Sequence, residues 1–157
     1  MSDLELCYLP ATEAIAQFKA KTLSPVELLD ALIKRAEEVE PVINAFTYRH
    51  FDEAMDKAKK AEAKYASGKR TRALEGLPIG IQDENFIKDK PTSSGSLIMK
   101  DFVADRTSVG NERILRAGGI VHARTATPEF SSAGYTNSRL WGVTRNPWNP
   151  EFTPGGS

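Results

Sequence analysis

The amino-acid sequence predicts an α/β fold, with N-terminal helices packed on the first strands of a mixed, largely parallel sheet. Apolar residues recur at helical spacing through most of the N-terminal half. Further along, two short runs rich in β-branched residues, 74–83 and 120–125, flank another helical stretch. Because strands that are joined through a helix usually pair in parallel, this order indicates a sheet with helices packed on it.

Three amphipathic helices are predicted in the N-terminal half. The first covers residues 12–21. The second opens at Ser24-Pro25-Val26-Glu27, which combines a capping box with proline at the first helical position, and we expect it to end at Pro41. The third covers residues 52–67 and stops at Gly68. Its inward-facing residues are Ala54, Ala58, Ala61 and Tyr65.

The predicted strands lie after the second helix and in the C-terminal half. Residues 42–48 form an edge strand or extended segment, and residues 74–83 and 120–125 form buried strands. A helix over residues 111–117, closed by Gly118-Gly119, separates the two buried strands. Thr127-Pro128 has the cap and first-position proline of a further helix, and the chain is rich in turns from residue 137 onward.

Composition excludes several classes of protein. The 21 basic and 21 acidic residues cancel, so there is no electrostatic case for nucleic acid or an anionic membrane as partner. No apolar run reaches the length of a membrane span, the N-terminus is not signal-like, and a single Cys7 suits a reducing compartment. These features predict a soluble cytoplasmic protein.

The sequence contains no motif for a cofactor or a metal. It lacks a P-loop, a dinucleotide fingerprint and a Cys/His cluster. His50 and His122 are its only histidines, and neither has a second ligand or a nucleophile beside it in the sequence. We therefore expect structural or surface roles for both histidines, and no cofactor.

Two stretches carry the candidate chemistry. Gln82 and Asp83 follow the apolar run of the first buried strand, and strand ends that lead into loops are common sites of chemistry in α/β proteins. Near the other end of the sequence, Pro154-Gly155-Gly156-Ser157 places two glycines before a serine. Glycines allow backbone angles closed to other residues, so such a turn can hold the serine in an unusual geometry.

Taken together, eight short motifs make the chain resemble the amidase signature family from near residue 9 to residue 157. In order, they are Ser24-Pro25-Val26-Glu27-Leu28, Asn44-Ala45-Phe46, Gly76-Leu77-Pro78-Ile79-Gly80-Ile81, Pro91-Thr92-Ser93-Ser94-Gly95-Ser96, Ala117-Gly118-Gly119-Ile120-Val121, Thr127-Pro128-Glu129-Phe130, Gly142-Val143-Thr144-Arg145-Asn146-Pro147-Trp148 and Pro154-Gly155-Gly156-Ser157. The resemblance implies that residues 1–157 are the N-terminal part of an amidase-signature domain, a truncated version of that fold. Its helical region would be residues 1–72 and its sheet-forming region residues 73–157.

The resemblance also implies an activity, either hydrolysis of a small-molecule amide or transfer of its nitrogen. In the family, a nucleophilic serine works with a bridging serine, held by a cis peptide bond, and with a lysine that acts as general base. Ser157 matches the bridging serine, and Gln82 occupies the lysine position. A serine hydroxyl needs a base to take its proton, and an amide side chain cannot titrate near neutral pH. The segment that supplies the nucleophile in the family follows this position and is absent from the sequence.

We therefore predict that the chain alone is inactive. Three interpretations stay open: an N-terminal part of an amidase whose lysine was replaced, a binding or assembly module derived from an amidase, or one part of an amidase completed by another chain. Exposed strand edges and apolar faces favour association, so we expect self-association or a complementing C-terminal segment. Free amidases and transfer-RNA amidotransferases share the motifs, which leaves the substrate open. Residues 91–96 and 125–132 are the segments expected to border the site.

Overall fold

A computed structural model describes residues 1–156 and has the α/β architecture that the sequence predicts. Its helices are α1 (Asp3–Cys7), α2 (Ala11–Ala20), α3 (Pro25–Ile43), α4 (Phe51–Ala66) and α5 (Val109–Arg116). Its strands are β1 (Phe46–Arg49), β2 (Pro78–Gln82), β3 (Ile120–Thr125), β4 (Asn137–Ser138) and β5 (Gly142–Val143). Helix α1 was not expected from the sequence, although a capping box between Ser2 and Glu5 starts it.

The main sheet has three strands in the order β1–β3–β2 and is mixed. Strand β1 lies at an edge, as predicted for this segment, and pairs antiparallel with β3. Between β2 and β3, Ile120 N donates to Leu77 O (2.8 Å) and Asp83 N donates to Thr125 O (2.9 Å). Residue numbers increase in both strands from the first of these bonds to the second, so the two strands are parallel. Strands β4 and β5 form a separate antiparallel pair.

The prediction that Pro41 ends the second helix is wrong, because α3 runs on to Ile43. Proline removes the hydrogen bond from its own N–H to the carbonyl four residues earlier, and only two helical residues follow Pro41, so the helix ends soon after it. The helix stops at Asn44, which has a left-handed φ of 51° and donates its N–H to Glu40 O at 2.9 Å. The Glu40 carboxylate then accepts the next two N–H groups, those of Ala45 and Phe46, each at 3.0 Å.

The helix predicted to start at Thr127-Pro128 is also wrong. The structure has a single 3₁₀ turn there, Glu129–Ser131. Phe130 and Ser131 have φ angles of 50° and 52°, which an α-helix excludes. The Thr127 hydroxyl contacts the Ser131 hydroxyl at 3.0 Å and donates to Pro128 O at 3.1 Å, so it caps no helix.

Helix α4 has the buried face that its sequence predicts: Ala54, Ala58, Ala61 and Tyr65. Tyr65 packs in a cluster with Phe18 of α2, with ring centroids 5.8 Å apart. Ala54 and Ala58 pack in a second cluster with Leu29 of α3 and Ile120 of β3. The small alanine side chains allow close packing along this face of the helix, while its charged residues lie outside.

By its contacts the chain forms two compact units. The first is built from Met1–Glu38, His50–Ile79 and Arg113–His122, and the second from Val39–Arg49, Gly80–Glu112 and the residues from Ala123 onward. The division into a helical region 1–72 and a sheet-forming region 73–157 stays a prediction. Among residues 1–156, no helix has both the length and the apolar composition needed to cross a membrane.

Candidate functional site

Gln82 lies at the C-terminal end of β2, where the sequence analysis places it, and is half-buried. Its carbonyl oxygen accepts two hydrogen bonds, from Arg124 Nη2 at 3.0 Å and from Asn85 N at 3.1 Å. The chain turns immediately after Gln82, and the next residue, Asp83, is fully buried. The main chain at position 82 is therefore fixed both by the neighbouring strand, through Arg124, and by the following turn, through Asn85.

Arg124 of β3 holds this strand end, and its side chain is fully buried. Four of its five hydrogen bonds go to main-chain oxygens: Nε donates to Ile81 O (3.2 Å), Nη1 to Pro91 O (3.1 Å), and Nη2 to Gln82 O (3.0 Å) and Asn85 O (2.7 Å). The fifth goes from Nη1 to the Thr92 hydroxyl at 3.4 Å. Burial lowers the pKa of Arg124, and the nearby Asp83 carboxylate opposes that effect.

Asp83 is held by Ser93, from the loop that follows. Ser93 N donates to Asp83 Oδ1 at 3.0 Å, and the Ser93 hydroxyl donates to Asp83 Oδ2. Burial raises the pKa of Asp83, although the Ser93 hydrogen bonds and the positive charge of Arg124, 3.9 Å away, act in the opposite direction. The Ser93 oxygen also accepts the indole N–H of Trp141 at 2.8 Å. Asp83, Ser93, Arg124 and Trp141 thus form one polar network next to Gln82.

The two segments expected to border the site, residues 91–96 and 125–132, contact each other. Phe130 N donates to Ser94 O at 2.9 Å, and the Ser96 hydroxyl donates to Glu129 Oε1 at 2.6 Å. Gly95 lies where a Cβ atom would come within 2.8 Å of Thr127 O. Ser94, like Phe130, has a positive φ (48°). Strained backbone of this kind clusters at functional sites, and it is concentrated here beside residue 82.

The glycine turn before Ser157 is packed against the segment that precedes β4. Thr136 Oγ1 donates to Gly155 O at 2.7 Å. A Cβ atom on Gly156 would lie 2.3 Å from Ala133 O and 2.8 Å from Tyr135 N, so only glycine fits without a backbone shift. Ser157 itself lies outside the described residues. Its pairing with Gln82 therefore stays a prediction.

The sequence alone indicated Gln82 and Asp83, and it indicated Ser93 as part of the segment 91–96, but it did not indicate Arg124 or Trp141. One signal was present: Arg124 is a charged residue inside the apolar run of β3, and a charge in such a strand needs partners.

His122 packs its ring against Phe51, with ring centroids 6.4 Å apart, and burial lowers the pKa of His122. No group of three or more potential metal ligands occurs within residues 1–156.

At the strand end, the side chain of Gln82 is a hydrogen-bonding group rather than a base. Gln82 offers one amide donor group and one acceptor oxygen, and neither changes charge near neutral pH. Asp83 cannot approach a substrate, since both of its carboxylate oxygens are bound by Ser93 and the side chain is inaccessible to solvent.

Comparisons with known proteins agree on one family. The Amidase family model matches residues 27–157. A component of the glutamyl-tRNA(Gln) amidotransferase of Gloeothece citriformis is 35% identical over 141 residues, which cover 90% of this chain and 29% of that protein. An acylamidase of Rhodococcus erythropolis is 33% identical over 157 residues, or 100% of this chain and 33% of the acylamidase.

Among solved structures, a bacterial aryl acylamidase of the amidase signature enzymes superposes with a TM-score of 0.88 and is 29% identical in sequence. The superposition covers 95% of this chain and 31% of the aryl acylamidase. The chain thus spans about a third of the length of the relatives that it matches. With the family model covering most of its residues, and with the fold of a solved member, this chain belongs to the amidase family.

Proposed function

We propose that this chain forms the base-side part of an amidase-type site, binds an acyl amide there, and does not hydrolyse it unaided. The observation that carries the proposal is the position of Gln82. It stands at the end of β2, the position that the resemblance assigns to the family's lysine, and Arg124 fixes the main chain there by hydrogen bonds. The scaffold for a base is thus present, and the side chain on it cannot act as one.

The chemistry of the family makes this substitution decisive. A serine hydroxyl becomes a useful nucleophile only when a neighbouring group removes its proton. Lysine can do so when its surroundings lower its pKa, whereas glutamine has no proton to exchange near neutrality. Asp83 does not replace the lysine, because it is buried and both of its oxygens accept hydrogen bonds from Ser93.

Binding is compatible with the same group. The amide of Gln82 can donate to and accept from a substrate carboxamide, so the substitution removes the base and retains hydrogen-bonding capacity. Relatives named acylamidase and amidotransferase support an acyl amide as ligand. We expect saturable binding of a small acyl amide without release of ammonia or amine.

The test supplies a base at position 82 together with the part of the fold that the longer relatives have beyond this region. Residues 1–157 are fused to the remaining two thirds of the Rhodococcus acylamidase, with Gln82, Gln82→Lys or Gln82→Met. We expect the lysine form to hydrolyse an acyl amide at least about 100-fold faster than the other two, because it alone supplies general-base catalysis. Its rate should rise with pH as the lysine loses its proton.

Two outcomes would contradict the proposal. The first is equal turnover by the Gln82 and Gln82→Lys forms. The second is measurable turnover by the unmodified chain alone, and turnover that also survives Ser157→Ala would contradict the assignment of Ser157 to the site. Gln82→Met matches glutamine in size, so it separates loss of the base from loss of packing.

We also propose that the chain associates, with itself or with a complementing C-terminal segment. Its second unit exposes large apolar side chains near the end of the sequence: Trp148 is 95% exposed and Phe152 is 64% exposed. Exposed apolar groups of this size favour burial in an interface. If the chain associates with itself, light scattering should find a dimer or larger species, and a clean monomer at high concentration would contradict self-association.

A further inference from the structure

Helix α4 carries a row of lysines that the amide site does not use. Lys57, Lys60 and Lys64 are spaced three and four residues apart and therefore lie on one face of the helix. Their charges look like an ordinary solvated surface in the sequence. In the structure, all three line a cavity of about 430 Å³ within the first compact unit, and Arg72 lies at the same cavity. This volume is within the range of small-molecule sites.

The inner wall of this cavity, called here the α4 cavity, is largely apolar. It is made by Ala61, Gly76, Leu115, Gly118, Gly119 and Ile120. The N–H groups of Gly118 and Gly119 already donate to Leu115 O (3.0 Å) and Ile114 O (3.1 Å), so they do not face a ligand as donors. A wall of this kind favours a hydrocarbon group and offers little to a fully hydrated ion.

The rim has a surplus of positive charge. Glu75 is buried and already holds two cations: Lys64 Nζ lies 2.7 Å from its Oε2, and Arg72 donates to both of its oxygens at 2.9 and 2.7 Å. Lys57 pairs with Glu53 at 2.7 Å. Among the ion pairs of residues 1–156, none includes Lys60. Its ammonium is the group at the rim that is available to a ligand.

We propose that the α4 cavity binds a small monoanion with an apolar tail, of the class of medium-chain carboxylates. The tail would lie on the wall formed by Leu115 and Ile120, and the carboxylate would pair with Lys60 at the rim. A cation would meet the lysines unfavourably. An inorganic anion would leave the apolar wall exposed to water. This site goes beyond the proposed amide function and stands independently of it.

In the experiment, the full 157-residue chain is titrated with octanoate, with octylammonium and with inorganic phosphate. Binding is measured by calorimetry and by changes in the amide chemical shifts. We expect saturable binding of octanoate, with shifts at Leu115, Gly118 and Ile120. Octylammonium and phosphate should bind at least about tenfold more weakly, the factor that a charge-assisted hydrogen bond typically contributes.

Neighbouring lysines on α4 provide the matched control. Lys60→Gln should weaken octanoate binding about tenfold, whereas Lys59→Gln, which is also exposed on the same helix and is not part of the cavity, should change it less than about twofold. Leu115→Ser should weaken octanoate and leave acetate unaffected. Lys60 is exposed, so its replacement leaves the fold intact, and Lys60→Glu should reverse the preference towards octylammonium.

Three results would overturn the proposal. One is absence of saturable octanoate binding. Another is equal binding of octanoate and octylammonium, which would indicate hydrophobic association without charge recognition. The third is equal loss of affinity in Lys60→Gln and Lys59→Gln.

Discussion

This molecule has two buried carboxylates that each have an arginine as neighbour, Glu75 in the first unit and Asp83 in the second. Their pKa values are shifted in opposite directions. The pKa of Glu75 is lowered to about 2, mainly by its hydrogen bonds with Arg72. The pKa of Asp83 is raised, mainly by burial. Both carboxylates are almost inaccessible to solvent, so burial alone does not explain the difference.

The difference lies in where the guanidinium donors point. Arg72 donates to both oxygens of Glu75, at 2.9 and 2.7 Å, and its own side chain is 50% exposed and remains hydrated. Arg124 is fully buried, and its nearest nitrogen is 3.9 Å from Asp83. Its donors go to main-chain oxygens instead. The first arginine neutralises a carboxylate, whereas the second positions the strand end that carries Gln82.

The largest expected effect comes from removing the two arginines in parallel. Arg124→Met should lower the free energy of unfolding by about 3–5 kcal/mol, because it leaves a buried carboxylate without its cation and several carbonyls without donors. Arg72→Met should lower it by about 1 kcal/mol, since Arg72 is half-exposed and Lys64 still pairs with Glu75.

Urea denaturation measures both changes, and Arg113→Met on the exposed side of α5 is the control, with an expected change within about 0.5 kcal/mol. Equal changes in the free energy of unfolding for the Arg124 and Arg72 substitutions would contradict the distinction drawn here. The buried arginine would then contribute no more than the hydrated ion-pair partner.

A smaller effect depends on pH. Glu75→Gln should cost about 2 kcal/mol at pH 7, a value reduced below the full linkage energy because Arg72 is partly solvated. The folded-state pKa of Glu75 is lower than its ordinary value, so its stabilising contribution is present above about pH 4.5 and is lost as the pH falls towards 2.

The unfolding free energies of the wild type and the Glu75→Gln variant should therefore converge between about pH 5 and pH 2. A difference that stays constant over this range would show that the ionised form of Glu75 is not the stabilising one.

The smallest effect concerns Ser93. Ser93→Ala removes the hydroxyl that donates to Asp83 and accepts from Trp141, and should cost about 1–2 kcal/mol. It should also raise the pKa of Asp83 further, because one of the groups that stabilise the charged form is lost. Carbon-13 NMR of the Asp83 carboxyl follows that titration.

Ser132→Ala, at an exposed hydroxyl of the same unit, serves as the control and should change neither quantity. An unchanged pKa in Ser93→Ala would show that burial alone sets the protonation of Asp83.

Local patterns account for much of the fold. The alanines of α4 at helical spacing, the β-branched residues of β3 and the glycines after α5 are signals that neighbouring residues carry, and the structure agrees with them. The helix end predicted at Pro41 was wrong because the end of α3 depends on Glu40, whose carboxylate accepts the N–H groups beyond the helix. The turn at Phe130 was missed because its backbone is held by Ser94, a residue distant in sequence.

The site was predictable to the extent that its chemistry lies in short motifs. Gln82 and Asp83 stand at the end of an apolar strand, so position alone identified them. Arg124, Ser93 and Trp141 come together only through the pairing of strands and the packing of loops, which no local pattern encodes. Family resemblance gave a role to position 82, and the structure shows which residues fix its main chain.

The mode of attachment of Arg124 bears on how this chain can diverge from its relatives. The guanidinium binds the main-chain oxygens of Ile81 and Gln82, which every amino acid possesses. Arg124 can therefore make these bonds whichever side chain occupies position 82. Glutamine and lysine would stand on the same main-chain framework at this position. Under the function proposed above, one substitution at position 82 is then enough to remove or restore the base.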